Sequence, residues 1–289
     1  MSESRAATVR GQVRPSPDVR HEMPAVFGPS SLPAVSHVER VRSGSVRFVT
    51  DAAVAASLVP HWFDVPDRPV VSVTSFAYEG VDYLAGGGYN VVAVTVEVLH
   101  RDPGGSERRA PYGLVMWESE GMPVIAGREG MGHAKLVADV PMPDDDGQRL
   151  RFSCQEGGAE LVRATIGDRT PIPDDQLERL RRDASEMWTF GWKYIQGPCG
   201  TVDADYPTAL LTRHHFAEAS IGVGTVTFCQ PDPSAAPLSG RIVAALRRLP
   251  VVEERPAFLW SGSMDIDRAA TRRLRTTNGP DPSRSTRGL

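Results

Sequence analysis

The chain is dominated by runs of β-branched and other apolar residues broken by glycine, proline and aspartate: VVSVTSFA (70–77), NVVAVTVEVL (90–99), YGLVMWE (112–118), AELVRAT (159–165) and ASIGVGTVTF (219–228). Branching at Cβ suits the pleated surface of a sheet, and the interrupting residues are those that make turns. No regular alternation of strand and helix accompanies these runs, so they predict an α+β fold built on a large antiparallel sheet or barrel. Helices are few. TDAAVAASLV (50–59) predicts one with Thr50 as its N-cap, and residues 174–188 predict a second with Leu177, Leu180, Ala184 and Met187 or Trp188 along one stripe. A third falls near 239–248.

With 289 residues and 40% hydrophobic content the chain can bury a full core, and one large domain accommodates it better than two small ones. Residues 1–22 and 268–289 lack apolar periodicity, which assigns them to flexible ends flanking a domain at 23–267. The C-terminal end is basic through Arg272, Arg273 and Arg275. A formal net charge of −4 gives no electrostatic reason for a nucleic-acid or membrane-surface partner. No apolar run approaches the roughly 20 residues of a membrane span. The N-terminus has Arg5 and Arg10 but no apolar core of a secretory signal, so a cytoplasmic protein acting on a small polar substrate is expected. Cys154, Cys199 and Cys229 are odd in number and lack CxxC spacing, which reads as buried reduced thiols rather than disulfides or a zinc site. Asp144, Asp145 and Asp146 lack the alternating spacing and closing glutamate of a calcium loop, so no metal is expected there.

Of the 32 basic residues only Lys135 and Lys193 are lysines. A codon bias toward arginine accounts for most of that skew, but it leaves just these two candidate amine nucleophiles, because guanidinium stays charged and cannot form a Schiff base. Lys135 lies in GMPVIAGREGMGHAKLVADV (121–140), among Gly130, Met131, Gly132, Ala134, Leu136 and Val137, with Arg128 and Glu129 just before it. A free lysine of pKa about 10.4 is neutral in only about one molecule in 2,500 at pH 7. Desolvation, or a cation such as Arg128, favours the neutral amine, and shifts of about 3 units or more are documented. The competing reading is a surface lysine at a strand end, its stem lying along apolar surface. Lys193, between Trp192 and Tyr194, reads as packed surface rather than a second nucleophile.

Glu118 and Glu120 share one face of a predicted strand, and His133 lies on the side of Lys135 if its segment is extended. All three are candidates for moving protons, with solvent-facing charges and a packed imidazole as the structural alternatives. His214 and His215 are adjacent, hence on opposite faces of a strand, and make no convincing metal pair.

GREGMGHAKLVADV resembles the signature of the acetoacetate decarboxylase superfamily, in which a Gly-Arg-Glu step is followed by glycine, an aromatic residue, proline and the Schiff-base lysine. The matching positions are Gly127, Arg128, Glu129, Gly132 and Lys135, with His133 and Ala134 in place of the aromatic residue and proline. MPAVFGPSSLP (23–33), TDAAVAASLVPHWFDV (50–65), WKYIQGPCGTVDADYP (192–207) and LPVVEE (249–254) are similar to further segments of that family, in the same order. The resemblance implies a cone-like or barrel-like sheet with a few peripheral helices, a homo-oligomer such as a tetramer, no cofactor, and a desolvated or cation-flanked Lys135 that forms an imine with a small oxo acid. Arg128, Glu129 and Trp117 complete the candidate site as substrate-binding residues.

Leu136 stands where acetoacetate decarboxylase has a second lysine, and Val73 and Val91 align with its two acids, while Arg40 or Arg42 aligns with its basic residue before the first helix. The chain therefore looks like a Schiff-base lyase of the secondary-metabolism kind, using the imine for aldol, dehydration or cyclisation chemistry. Decarboxylation of acetoacetate or another 3-oxo acid is the alternative. A non-catalytic member that binds a metabolite or a partner enzyme is a second alternative.

Overall fold

The computed structural model describes residues 13–16 and 18–276. They fall into two compact units divided between Leu32 and Pro33. The first unit holds a short 3-10 turn at Ala25–Phe27, and its chain is tied together by Ser30, whose hydroxyl donates to Glu22 at 2.9 Å and whose backbone N–H donates to Arg20 O at 2.9 Å.

The second unit is built on an 11-stranded sheet. Strands β1 (Val35–Val49), β2 (Val70–Val81), β3 (Tyr89–Arg101) and β4 (Glu107–Glu118) form successive antiparallel pairs. From β4 the order continues through β9 (Met187–Gln196) and β10 (Val202–Phe228) to β11 (Glu253–Arg273), which pairs with β10 and with β1. The neighbour order thus returns to its start. Its narrowest seam is β4 with β9, joined by the single pair Tyr112 and Phe190. Off this ring, β10 also pairs with β8 (Ala159–Pro171), which leads to β7 (Leu150–Glu156) and β6 (Asp144–Asp145). The short β5 (Lys135–Val137) lies beside β4. Among the described residues the antiparallel expectation fails only where β5 and β9 run parallel to β4.

Strand alternation sorts the apolar residues into two cores. Val46, Phe48, Val71, Val73, Val92, Val94, Val96 and Trp117 belong to one, shared with β7 and β8. Val41, Tyr78, Tyr89, Val91, Ala93, Met131 and Trp260 form the other, on the opposite face. Each fully buried valine contributes about 1.5–3 kcal/mol relative to exposure, so a one-residue slip of β2 or β3 would exchange the two cores and is strongly disfavoured.

The helices are α1 (Ala52–Ala56), α2 (Gly121–Ala126), α3 (Asp174–Asp183) and α4 (Gly240–Leu246). Asp51, not Thr50, caps α1: its carboxylate accepts from Val54 N–H at 2.9 Å, while the Thr50 hydroxyl donates to Pro250 O at 2.8 Å. The helix expected over 174–188 stops at Asp183, and Met187 and Trp188 open β9 opposite Thr212 and Leu211. Sheet pairing there outweighs helical periodicity. Residues 268–273, expected in the flexible basic end, instead extend β11. The guanidinium groups of Arg272 and Arg273 rest 4.6 and 4.5 Å from the rings of Trp188 and Tyr206, which gives these charges a folded role. The ends at 1–12 and 277–289 lie outside the described residues. Cys154 is buried as expected, whereas Cys199 is exposed and Cys229 half-buried. Among the described residues no helix is long and apolar enough to cross a membrane.

Candidate active site

Glu118 ends β4, opposite Val91 of β3, which in turn faces Phe76 of β2. Lys135 opens β5, opposite Met116 of β4. Residues paired in register share a face, so Lys135, Met116, Glu118, Val91 and Phe76 all lie toward the second core. There the Lys135 ammonium sits 2.8 Å from Glu118 Oε1 and donates to Pro123 O at 3.3 Å. Lys135 is 8% exposed and Glu118 2%. Oε2 of Glu118 has no hydrogen-bond partner. Burial pushes this carboxyl above the usual range, against the opposing pull of the Lys135 charge.

The Gly-Arg-Glu step is a π turn, Gly127–Met131, that continues α2 and ends at Gly132, whose φ of 72° lies in the left-handed region. A Cβ on Gly127 would stand 2.4 Å from Lys135 Cδ and 2.9 Å from its Nζ. Only the missing side chain lets the helix cross over the lysine. A Cβ on Gly132 would meet the backbone nitrogen of Lys193 at 2.7 Å, where Trp192 N–H of β9 donates to Gly132 O at 3.0 Å. That contact clamps the turn against the sheet.

Several expected site residues are placed elsewhere. Trp117 is fully buried in the first core, its indole N–H donating to Ser239 Oγ at 2.9 Å, because alternation puts it on the face opposite Glu118. Glu120 lies beyond the end of β4 and is exposed, so it does not share a face with Glu118. Arg128 is exposed and turns its guanidinium onto Lys135 O at 3.0 Å, bracing the backbone of the lysine rather than standing beside its ammonium. Glu129 is half-buried, and its carbonyl receives the Lys193 ammonium. Lys193 is thereby occupied, with its Nζ 5.9 Å from the Tyr206 ring. Leu136 packs against the first core, as does Val73, so of the two positions aligned with acids only Val91 lies on the lysine's face. Arg40 and Arg42 are exposed and pair with Glu79 at 3.1 and 3.0 Å.

His133 does join the site. It is buried, neither ring nitrogen has a partner, and burial together with the Lys135 charge holds its pKa down at about 3. Near neutral pH it is an uncharged hydrogen-bonding group and a poor proton carrier. Three tyrosines that sequence reasoning did not single out complete the surroundings. The rings of Tyr78 and Tyr89 are 4.9 Å apart, and the hydroxyls of Tyr89 and Tyr83 are 3.2 Å apart. Burial and the Glu118 charge raise the pKa of Tyr78 and Tyr89, which keeps both phenols neutral. Their signal was parity: Tyr78 and Tyr89 are each two residues from Phe76 and Val91 along their strands. A separate cavity of about 780 Å³, lined by Arg42, Ser75, Arg169 and Glu218, does not include Lys135 or Glu118.

The profile of the acetoacetate decarboxylase (ADC) family matches residues 22–266 of the chain. An acetoacetate decarboxylase structure is 16% identical, with 90% of this chain and 97% of that one covered and a TM-score of 0.70. The acetoacetate decarboxylase of Legionella pneumophila is 15% identical over 83% of this chain and 89% of that one, with a TM-score of 0.64. The enduracididine biosynthesis enzyme MppR in complex with pyruvate is 13% identical over 89% of this chain and 97% of that one, with a TM-score of 0.62. MppR is also similar in its complex with the condensation product of pyruvate and imidazole 4-carboxaldehyde, at 14% identity over 92% of this chain and 99% of that one and a TM-score of 0.62. No curated protein matches at the sequence level.

Proposed function

This chain belongs to the acetoacetate decarboxylase family, and from that premise we propose that it is a Schiff-base enzyme in which Lys135 forms an imine with a small oxo acid and directs it into enamine chemistry of the aldol, dehydration or cyclisation type. The observation that carries this reading is the buried contact of Lys135 with Glu118 beside a neutral His133. The pair can pass one proton internally, from ammonium to carboxylate, without changing the net charge of the site. The neutral amine then adds to the carbonyl carbon to give a carbinolamine. Glu118, now protonated, returns its proton to the departing hydroxyl, so that water leaves and an iminium stands beside a carboxylate. The iminium acidifies the neighbouring C–H, and the same carboxylate is placed to take that proton and form the enamine.

Two things favour enamine chemistry over decarboxylation of acetoacetate. On the resemblance, Val91 stands on the lysine's face where acetoacetate decarboxylase carries an acid, and the solved complexes of MppR include a condensation product. Borohydride with pyruvate or a longer oxo acid is expected to add irreversible mass to the peptide containing Lys135 and none to that containing Lys193. Lys135→Ala and Lys135→Arg should both abolish the adduct while remaining folded, the second because guanidinium cannot form this imine. An adduct that persists in Lys135→Arg removes the covalent mechanism. Release of carbon dioxide from acetoacetate at about 1 per second or faster turns the reading to decarboxylation.

A further inference from the structure

Four charged side chains are buried among the described residues: Glu118, Lys135, Asp267 and Arg268. Glu118 and Lys135 pair with each other, and Asp267 pairs with Arg213 at 2.8 Å. Arg268 has no carboxylate partner among the described residues, although it is only 3% exposed. Its Nη1 donates to Ser36 Oγ, its Nε has no partner, and its guanidinium carbon lies 4.6 Å from the ring of Tyr83. An ion taken out of water without a counter-charge is costly, so a buried guanidinium that meets Ser36 and Tyr83 but no carboxylate among the described residues is equipped for an anion.

The position of Arg268 connects it to the lysine. Tyr83 packs against the second core, and its hydroxyl is 3.2 Å from that of Tyr89, which lines the same core as Glu118's neighbour Val91. Burial raises the pKa of the Tyr83 phenol and keeps it neutral, against the opposing pull of its bond with Tyr89 and of the Arg268 charge. Arg268, Tyr83 and Tyr89 thus form one chain of contacts, and Tyr89 shares its core with Val91, the strand partner of Glu118. With the phenols and His133 neutral, the face carries two buried cations and one buried anion, an excess of one positive charge. Converting the ammonium to an iminium leaves that excess in place, whereas one bound carboxylate removes it.

We propose that Arg268 holds the carboxylate of the substrate, with Tyr89 and Tyr83 between it and the carbonyl at Lys135, so that the substrate is an oxo acid whose acid group lies several bonds from the reacting carbonyl. This rests on the imine reading of Lys135. It assigns Arg268 a role in specificity rather than in bond breaking.

The test compares borohydride trapping rates at low concentration for 5-oxohexanoate, its methyl ester and pyruvate, in the full chain and in Arg268→Gln and Arg268→Lys. Arg268→Gln should slow trapping of 5-oxohexanoate by roughly tenfold to a hundredfold, as for loss of a charge-assisted hydrogen bond. The ester and pyruvate should stay within about twofold of wild type, since neither places a carboxylate at Arg268. Arg268→Lys should recover part of the rate for the acid, because it keeps the charge, and it also serves if Arg268→Gln does not fold. Equal losses for acid and ester, no loss for the acid, or a loss confined to pyruvate would each overturn the assignment. If wild type forms no Lys135 adduct with any of the three, the imine reading has failed, and calorimetric titration with hexanoate decides the anion site by itself. Binding that is lost in Arg268→Gln upholds that site, and binding that is absent or unchanged refutes it.

Discussion

Gly127→Ala would add one methyl group where the helix crosses the Lys135 side chain. The new Cβ would stand 2.4 Å from Lys135 Cδ, 2.5 Å from Cε and 2.9 Å from Nζ, whereas carbon atoms in contact prefer about 3.5–4.0 Å. The end of the lysine must therefore retreat by about 1 Å or more, which breaks its 2.8 Å contact with Glu118. A misplacement of about 1 Å can cost on the order of a hundredfold in rate. The backbone of Gly127 is already helical, with φ −69° and ψ −39°, so alanine meets no conformational obstacle. It gains about 0.5–1 kcal/mol of helical preference against about 1–3 kcal/mol of overpacking. Packing and helical preference alone should thus lower stability by no more than about 2.5 kcal/mol, with the broken ion pair adding to that loss, while Schiff-base formation falls about a hundredfold. Thermal denaturation followed by circular dichroism reads the first quantity and borohydride trapping with mass spectrometry the second. Gly130→Ala is the internal control, because a Cβ there has nothing within 4 Å. Trapping by Gly127→Ala at the wild-type rate, or an equal loss in Gly130→Ala, refutes the argument.

Glu118→Gln strands a buried ammonium, which should cost about 3–5 kcal/mol of stability and slow imine formation by about 10²–10⁴; wild-type trapping in a folded variant would exclude Glu118 from proton transfer. His133, held at about 3 in the folded chain and about 6.5 when unfolded, contributes stability that is complete above pH about 6.5. That stability is lost at up to about 1.4 kcal/mol per pH unit as pH falls toward about 3, so His133→Phe should reduce the slope of urea-unfolding free energy between about pH 6 and 4 by one proton, and an unchanged slope would contradict a buried neutral imidazole. The homo-oligomer implied by the family resemblance should appear in light scattering at micromolar concentration, with exposed Tyr194, Ile195 and Val202 on β9 and β10 as apolar surface to cover; a strictly monomeric mass would refute it.

The strand runs were legible because their period of two reports burial directly. Parity also separates the two faces of each strand, and so the side on which the lysine lies. Consecutive residues Trp117 and Glu118 cannot both line one site on a strand, and only Glu118 does. The end of the chain was hidden for a different reason. RAATRR carries no apolar alternation, yet it forms strand because Thr208 and Ala209 of β10 pair with Arg273 and Arg272 and because Trp188 and Tyr206 stack under these arginines. No local signal encodes such partners. Arg268 fell into the expected tail for the same reason.

An enzyme can obtain an unprotonated lysine in two ways: a neighbouring cation that repels the proton, or a proton acceptor in a site from which water is excluded. The first is not built here. Arg128 spends its guanidinium on the carbonyl of Lys135, and Leu136 faces the other core. Arg268 lies against the Tyr83 ring, and among the described residues no contact joins it to Lys135. The second is present in geometry, since Glu118 touches the amine, is nearly fully buried, and is held above the usual carboxylate range by that burial. An acceptor of that kind must also give the proton back when water leaves the carbinolamine, which a fixed cation cannot do. A buried acceptor that also returns the proton therefore suits enamine chemistry, which must move protons at both carbon and oxygen.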